Sequence, residues 1–206
     1  MNILNKDYWQ QRYENGDTGW DVRTVTTPIK KYIDHLGTVE NVDKNMKILI
    51  PGAGSGHEAA YLWESGFRNV YVCDWAEDAI QRFKNKIPYF PDNQLIIGDF
   101  FEIKETFDMI VEQTFFCAIN PILRSRYAEK ASALLIENRD ENKTYSGVLV
   151  GLLFGKEFPF QEPPFGGTEA EYRTYFNPYF KIVEMKPAHN SIKPREGSEL
   201  WVKLKK

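Results

Sequence analysis

Apolar and polar positions along this 206-residue chain switch period repeatedly, and the switches predict alternating strands and helices. Apolar runs at Lys47–Ile50, Asn69–Cys73, Gln94–Ile97, Phe107–Val111 and Gly147–Phe154 predict strands. Helical spacing fills the intervals at Glu58–Ser65, Ala76–Lys86 and Ile122–Glu137. Ahead of the first strand, Tyr8–Tyr13 predicts a short amphipathic helix, followed by the turn-rich break Asn15-Gly16-Asp17-Thr18-Gly19. Pro28, after the cap candidate Thr27, opens a second helix with Ile29, Tyr32, Ile33 and Leu36 on one face. The chain's last strands, Phe180–Lys186 and Glu199–Lys205, alternate in period two around a polar loop containing Pro187, Pro194 and Gly197. That pattern predicts an antiparallel pair closing a sheet whose other strands are parallel and covered by helices on both faces. The expected class is therefore α/β: a doubly wound, seven-stranded, mostly parallel sheet with a C-terminal antiparallel pair.

Composition adds exclusions. The length suits one domain over residues 1–206, with no repeat or low-complexity segment. A net charge of −3 with interspersed signs gives no electrostatic footprint for nucleic acid. The longest apolar segments, such as Val148–Phe154, are too short to span a bilayer, and the start Met1–Asp7 has no signal-peptide core. Cys73 and Cys117 sit in apolar surroundings without metal or disulfide spacing, as buried thiols of a reducing compartment do. The expectation is a cytoplasmic monomer acting on a small molecule.

The strongest chemical signal is the turn after the first strand, Pro51-Gly52-Ala53-Gly54-Ser55-Gly56-His57-Glu58. Its glycines let the backbone turn sharply and approach a ligand. A dinucleotide fingerprint wants its third glycine at position 57, where this chain has histidine. The GxGxG spacing instead fits the nucleoside-binding turns of S-adenosylmethionine (SAM)-dependent methyltransferases, which seat no pyrophosphate. Asp74 closes the next strand, about twenty residues on, where a carboxylate can accept from both ribose hydroxyls; it could equally cap the helix that begins with Glu77 and Asp78. Asp99 and Phe100 follow the third strand, suited to an exocyclic amine and a ring face, or to an ordinary loop. A nicotinamide oxidoreductase shares these features, but no Tyr/Lys or His constellation accompanies them. A SAM-binding protein without activity also remains open. His35, His57 and His189 read as surface or supporting residues.

Three segments carry a more specific likeness. They are Tyr8–Asp21 with its tryptophans, the glycine turn with His57 and Glu58, and Phe107–Ile110 followed by Thr114–Pro121. Together they resemble the thiopurine, thiol and halide methyltransferase family, a branch of the class I SAM-dependent enzymes, over nearly the whole chain. The resemblance implies a Rossmann-like sheet, SAM as cofactor, and residues 1–40 as a helical lid. It places Trp9, Tyr13 and Trp20 over the cofactor, Gly52, Gly54, Gly56, Asp74 and Trp75 around its ribose, and Asp99 with Phe100 beside its adenine. Gln113 stands where halide and thiol members carry Tyr and thiopurine members Arg. Phe154 stands where halide-type members tend to carry Tyr. Both changes argue against halide methylation and leave cofactor binding intact.

Phe154–Gly167, after the fifth strand, is too rich in Pro and Gly for a regular element, so residues 155–178 read as a substrate-covering loop region or as loop packed on the core. Phe116, Phe154, Phe158 and Phe165 are the expected acceptor pocket. Arg195 and Glu196, in the last loop, read as solvated surface, with facing the same site as the alternative. The expected reaction is in-line transfer of a methyl group to a thiol or hydrosulfide, with thiopurines and halides secondary. An ionised soft nucleophile needs no general base.

Overall fold

The computed structural model describes residues 4–38, 42–137, 145 and 147–206. The first three residues of the signal-peptide reading and positions 39–40 of the lid segment lie outside the described residues. Seven strands form one sheet in the order β3-β2-β1-β4-β5-β7-β6. They are β1 (Ile48–Pro51), β2 (Val70–Asp74), β3 (Leu95–Ile97), β4 (Met109–Gln113), β5 (Val148–Phe154), β6 (Lys181–Pro187) and β7 (Glu199–Lys205). Strands β1 to β5 pair in parallel, whereas β7 runs antiparallel to both β5 and β6. The expected fold class holds.

The chain order reverses direction at β1, with β2 on one side and β4 on the other. In such sheets the crevice beyond the carboxyl ends of these strands is where ligands bind. Alternation decides what each strand feeds. Ile48 and Ile50 join a core with α2 (Thr27–Thr38), α3 (His57–Glu64) and α4 (Glu77–Lys86), while Leu49 joins the opposite core with α5 (Arg124–Leu134). Burial on both faces explains why these strands read as continuous apolar runs.

Three boundaries differ from the sequence reading. Helix α2 begins at Thr27 itself, with the carbonyl of Thr26 accepting from Lys30 N–H at 2.8 Å, so the capping position lies one residue earlier. Pro121–Leu123 forms a separate 3-10 turn before α5, which ends at Leu134, short of Glu137. The third is larger. Residues 155–178 are not all loop: α6 (Glu169–Phe176) lies inside them, with Tyr172 and Phe176 buried. Its signal was local, since the Thr168 hydroxyl accepts from Glu171 N–H at 3.1 Å, the N-terminal half of a capping box.

Strand β5 contains a position that no side chain could occupy. A Cβ at Gly151 would stand 2.2 Å from the carbonyl oxygen of Glu112 on β4. Opposite it, the Glu112 carboxylate is fully buried and accepts from Phe115 N–H, Phe116 N–H and the Tyr127 hydroxyl (2.6 Å). Burial pushes that carboxyl up to about 7 despite the three donors.

Candidate functional site

Strand β1 delivers the chain into the glycine turn, where Gly52 (φ +54°) and Gly54 (φ +55°) adopt the left-handed conformation. The space above them is taken. A Cβ on Gly52 would lie 2.3 Å from the Phe115 ring, and one on Gly54 would lie 2.8 Å from the Tyr13 hydroxyl. Asp74, at the end of β2 and 8 % exposed, ties this turn to the next. Its Oδ2 accepts from Gly54 N–H and its Oδ1 from Ala76 N–H, both at 2.9 Å. Asp74 thus shapes the turn ahead of α4, whose N-cap is Ala76 with no side-chain cap bond, and it also faces the crevice. Burial raises its carboxyl, opposed by the N–H groups of Ala76, Gly54 and Trp75.

At the end of β3, Asp99 Oδ1 accepts from Phe101 N–H (2.8 Å), and Phe100 packs edge-on to Phe115 at 5.3 Å. At the end of β4 the backbone reverses through Thr114, whose φ of +62° is unusual for a β-branched residue. That reversal sends Phe115 over the glycine turn and Phe116 into the core. The Gln113 side chain is oriented by Thr26, whose hydroxyl donates to Oε1 at 2.9 Å. The Gln113 Nε2 is shielded from solvent and has no partner. A buried donor left open at a cavity wall is costly without a ligand to accept from it.

Helix α1 (Lys6–Glu14) and the segment after it cover the crevice. Trp20 contacts Trp9 (5.5 Å) and Tyr13 (5.7 Å) edge to face, with the Arg12 guanidinium 4.8 Å above its ring. Asp21 fastens this cover to the glycine turn. Its carboxylate accepts from Ser55 Oγ (2.6 Å), Arg23 N–H (2.7 Å) and His57 Nε2 (2.7 Å). Burial alone would raise the Asp21 carboxyl, but these donors hold it below its ordinary value.

Arg195 departs most from expectation. It is 8 % exposed, not solvated, and lies against the crevice. It donates to the Trp20 carbonyl at 2.9 Å and faces Glu199 at 3.4 Å. No local pattern could show this, because Trp20 lies 175 residues away in sequence.

These groups enclose a cavity of about 480 Å³. Of the residues proposed from sequence, Trp9, Tyr13, Trp20, Gly52, Gly54, Asp74, Trp75, Asp99, Phe100, Gln113, Phe154 and Phe158 line it. Three do not. Gly56 sits beneath Phe83 at the start of α3, where a Cβ would meet that ring at 2.3 Å. Phe116 is buried against Tyr127, Tyr172 and Phe176. Phe165 is held away by its backbone, with its N–H on the Cys117 carbonyl (2.7 Å) and its carbonyl accepting from Arg124 (3.0 Å). Buried Arg124 also donates to Gly166 O and Glu171, pinning the far end of the covering segment. Phe115, Cys117 and Ile119 line the cavity without having been singled out as its wall, and Arg195 takes the less favoured of its two sequence readings by lining it too.

Glu58, also on the cavity wall and 5 % exposed, has its carboxyl pushed up to about 7 by burial, with Arg195 opposing. A carboxyl whose folded value exceeds its unfolded one costs nothing below the unfolded value; the cost grows as pH rises to the folded one. Glu58→Gln should therefore melt progressively higher than the parent protein as pH rises from about 4.5 to about 7, and match it more closely below that range. Parallel thermal melts of the ligand-free proteins across that range test this; a difference independent of pH would refute it.

Comparison with known proteins accords with this architecture. A family model described as thiopurine S-methyltransferase matches residues 4–202. A probable thiol methyltransferase 2 of Arabidopsis thaliana is 28% identical over 204 residues, covering 96% of this chain and 84% of the relative. Thiocyanate methyltransferase 1 of Brassica oleracea is 27% identical, again covering 96% and 84%. Among solved structures, the Burkholderia thailandensis 1,6-didemethyltoxoflavin-N1-methyltransferase, with S-adenosylhomocysteine (SAH) bound, superposes with a TM-score of 0.74. That pair is 19% identical, covering 98% of this chain and 87% of the other, and the likeness shows the fold.

Proposed function

This chain belongs to the thiopurine S-methyltransferase family and is thereby a SAM-dependent methyltransferase; from that premise we propose that its acceptor is a small soft nucleophile, a thiol or hydrosulfide. The observation that carries the reading is the character of the cavity beyond the glycine turn. Its wall includes Phe115, Cys117, Ile119, Phe154 and Phe158, and the histidine that lines it, His57, has both ring nitrogens engaged, by Asp21 (2.7 Å) and Lys86 (3.2 Å).

The chain fits the donor. Asp74 keeps lone-pair capacity beyond what it gives the N–H groups of Gly54, Ala76 and Trp75, enough to receive a ribose hydroxyl. The missing Cβ atoms at Gly52 and Gly54 let Phe115 and Tyr13 close over the turn, and the orphaned Gln113 Nε2 can donate to a ligand. Trp9, Tyr13 and Trp20 offer ring faces to a sulfonium cation. When bound, SAM supplies an electrophilic methyl group: its C–S bond breaks with the electron pair kept by the donor sulfur while the thiolate lone pair forms the new S–C bond.

The protein's part is positional. Phe115 and Phe154 exclude water, so a thiolate between them loses the solvation that would slow its attack. The strand ends and the lid fix the two reactants in line. No proton moves in the transfer itself, so the titratable groups on the wall, His57 tied to Asp21 and Glu58 facing Arg195, are not needed as a base. Cys117 does not compete as nucleophile, since burial pushes its thiol up to about 12.

Incubation with labelled SAM and separate aliphatic thiols, hydrosulfide, thiocyanate, iodide and thiopurines tests this. Aliphatic or aromatic thiols and hydrosulfide should give the highest kcat/KM, and iodide the lowest, because Gln113 and Phe154 present no phenol. Methylation confined to oxygen or nitrogen nucleophiles would overturn the reading.

A further inference from the structure

Among the described residues the carboxylates around the cavity are segregated, while its cations come from both parts of the chain, Arg12 before β4 and two others after it. All four carboxylates on its wall, Asp21, Glu58, Asp74 and Asp99, come from the chain before β4. The charged side chains contributed after β4 are Lys156 and Arg195, both cationic. The first half faces the donor, which carries positive charge. The second half therefore presents positive potential to whatever approaches as acceptor.

The two cations differ. Arg195 is buried, faces Glu199 and holds the Trp20 carbonyl, so its charge is largely spent on the fold. Lys156 is exposed at the start of the covering segment and pairs with no carboxylate among the described residues. Its Nζ lies 5.1 Å from the Phe158 ring centroid. A reacting sulfur must lie in line with the donor and must stay unpaired to remain nucleophilic. Lys156, solvent-exposed on the cavity wall, is not the group to pair with that sulfur. It is well placed for a second negative group on the same molecule.

Resting on the thiol reading above, we propose that Lys156 is a specificity-determining residue selecting acceptors that carry a carboxylate, or a similar anion, a few bonds from the thiol. The contact is made in ground state and transition state alike, so it lowers KM more than it raises kcat. Being solvent-exposed, it weakens as salt rises.

The test compares 3-mercaptopropionate with 2-mercaptoethanol, each rate referred to its thiolate concentration, for the full chain at low and high ionic strength. The carboxylate-bearing thiol should be preferred by about five-fold in kcat/KM at low salt, chiefly through KM, the size expected of one exposed ion pair. Lys156→Glu should abolish or invert the preference, Lys156→Arg should keep it, and added salt should erode it in the parent protein but not in the glutamate variant. Equal use of the two thiols by the parent protein, or a preference that survives Lys156→Glu, would overturn the inference while leaving thiol methylation standing. Failure to methylate either thiol would overturn the thiol reading, and this inference with it.

Discussion

Asp74→Ala should weaken SAH binding by about two orders of magnitude. The substitution strands Gly54 N–H and Ala76 N–H, both buried, and removes the acceptor proposed for a ribose hydroxyl. Each unsatisfied group costs about 1–3 kcal/mol, and about 1.4 kcal/mol is a factor of ten in affinity. The loss falls on binding because the turn that Gly54 opens is shaped by this hydrogen bond. Calorimetric titration with SAH measures it directly. Asp74→Asn separates the components: its amide oxygen can still serve one N–H group, so it should bind with intermediate affinity. An Asp74→Ala protein that binds within two-fold of the parent would reduce Asp74 to a device for shaping the turn ahead of α4.

The second large effect is on stability. Gly151→Ala places a methyl group 2.2 Å from the Glu112 carbonyl oxygen. That obstacle is backbone in the adjacent paired strand and cannot swing aside. Either β4 and β5 separate, breaking the ladder from Met109↔Val148 to Gln113↔Leu152, or the new side chain is accommodated by local distortion. Overpacking of this kind costs about 3 kcal/mol, which for a chain of this size lowers Tm by roughly 6–12 °C. The variant should also lose activity, since Glu112 shapes the loop carrying Phe115. A melting temperature within two degrees of the parent would show that the sheet absorbs the change.

Sequence revealed what local pattern encodes. Continuous apolar runs gave the parallel strands, and period-two alternation gave the final antiparallel pair. The strand ends at positions 50, 74 and 99 located the crevice because topology alone puts them side by side. What sequence missed was set by long-range partners or by single dihedral angles. Arg195 looked solvated because its partner carbonyl belongs to Trp20 at the other end of the chain. Phe116 was assigned to the pocket because nothing local announces that Thr114 takes a positive φ and exchanges the directions of Phe115 and Phe116. Helix α6 escaped notice beside its Pro- and Gly-rich neighbour, although Thr168 and Glu171 formed a legible start. Asp21 was quoted within a motif, yet its bonds to Ser55 and His57 came only with the fold.

The Trp20–Asp21 corner, gripped by the glycine turn on one side and by Arg195 on the other, has a consequence for synthesis on the ribosome. The central strands can pair once β4 and β5 have emerged, but the aromatic cover, already tied to α4 and the glycine turn, lacks its fastening at Trp20 until residue 195 clears the exit tunnel. Nascent chains thus carry a sheet before they carry a closed cavity. A chain ending upstream of Arg195 has the residues for the grip at Asp21 but not for the one at the Trp20 carbonyl.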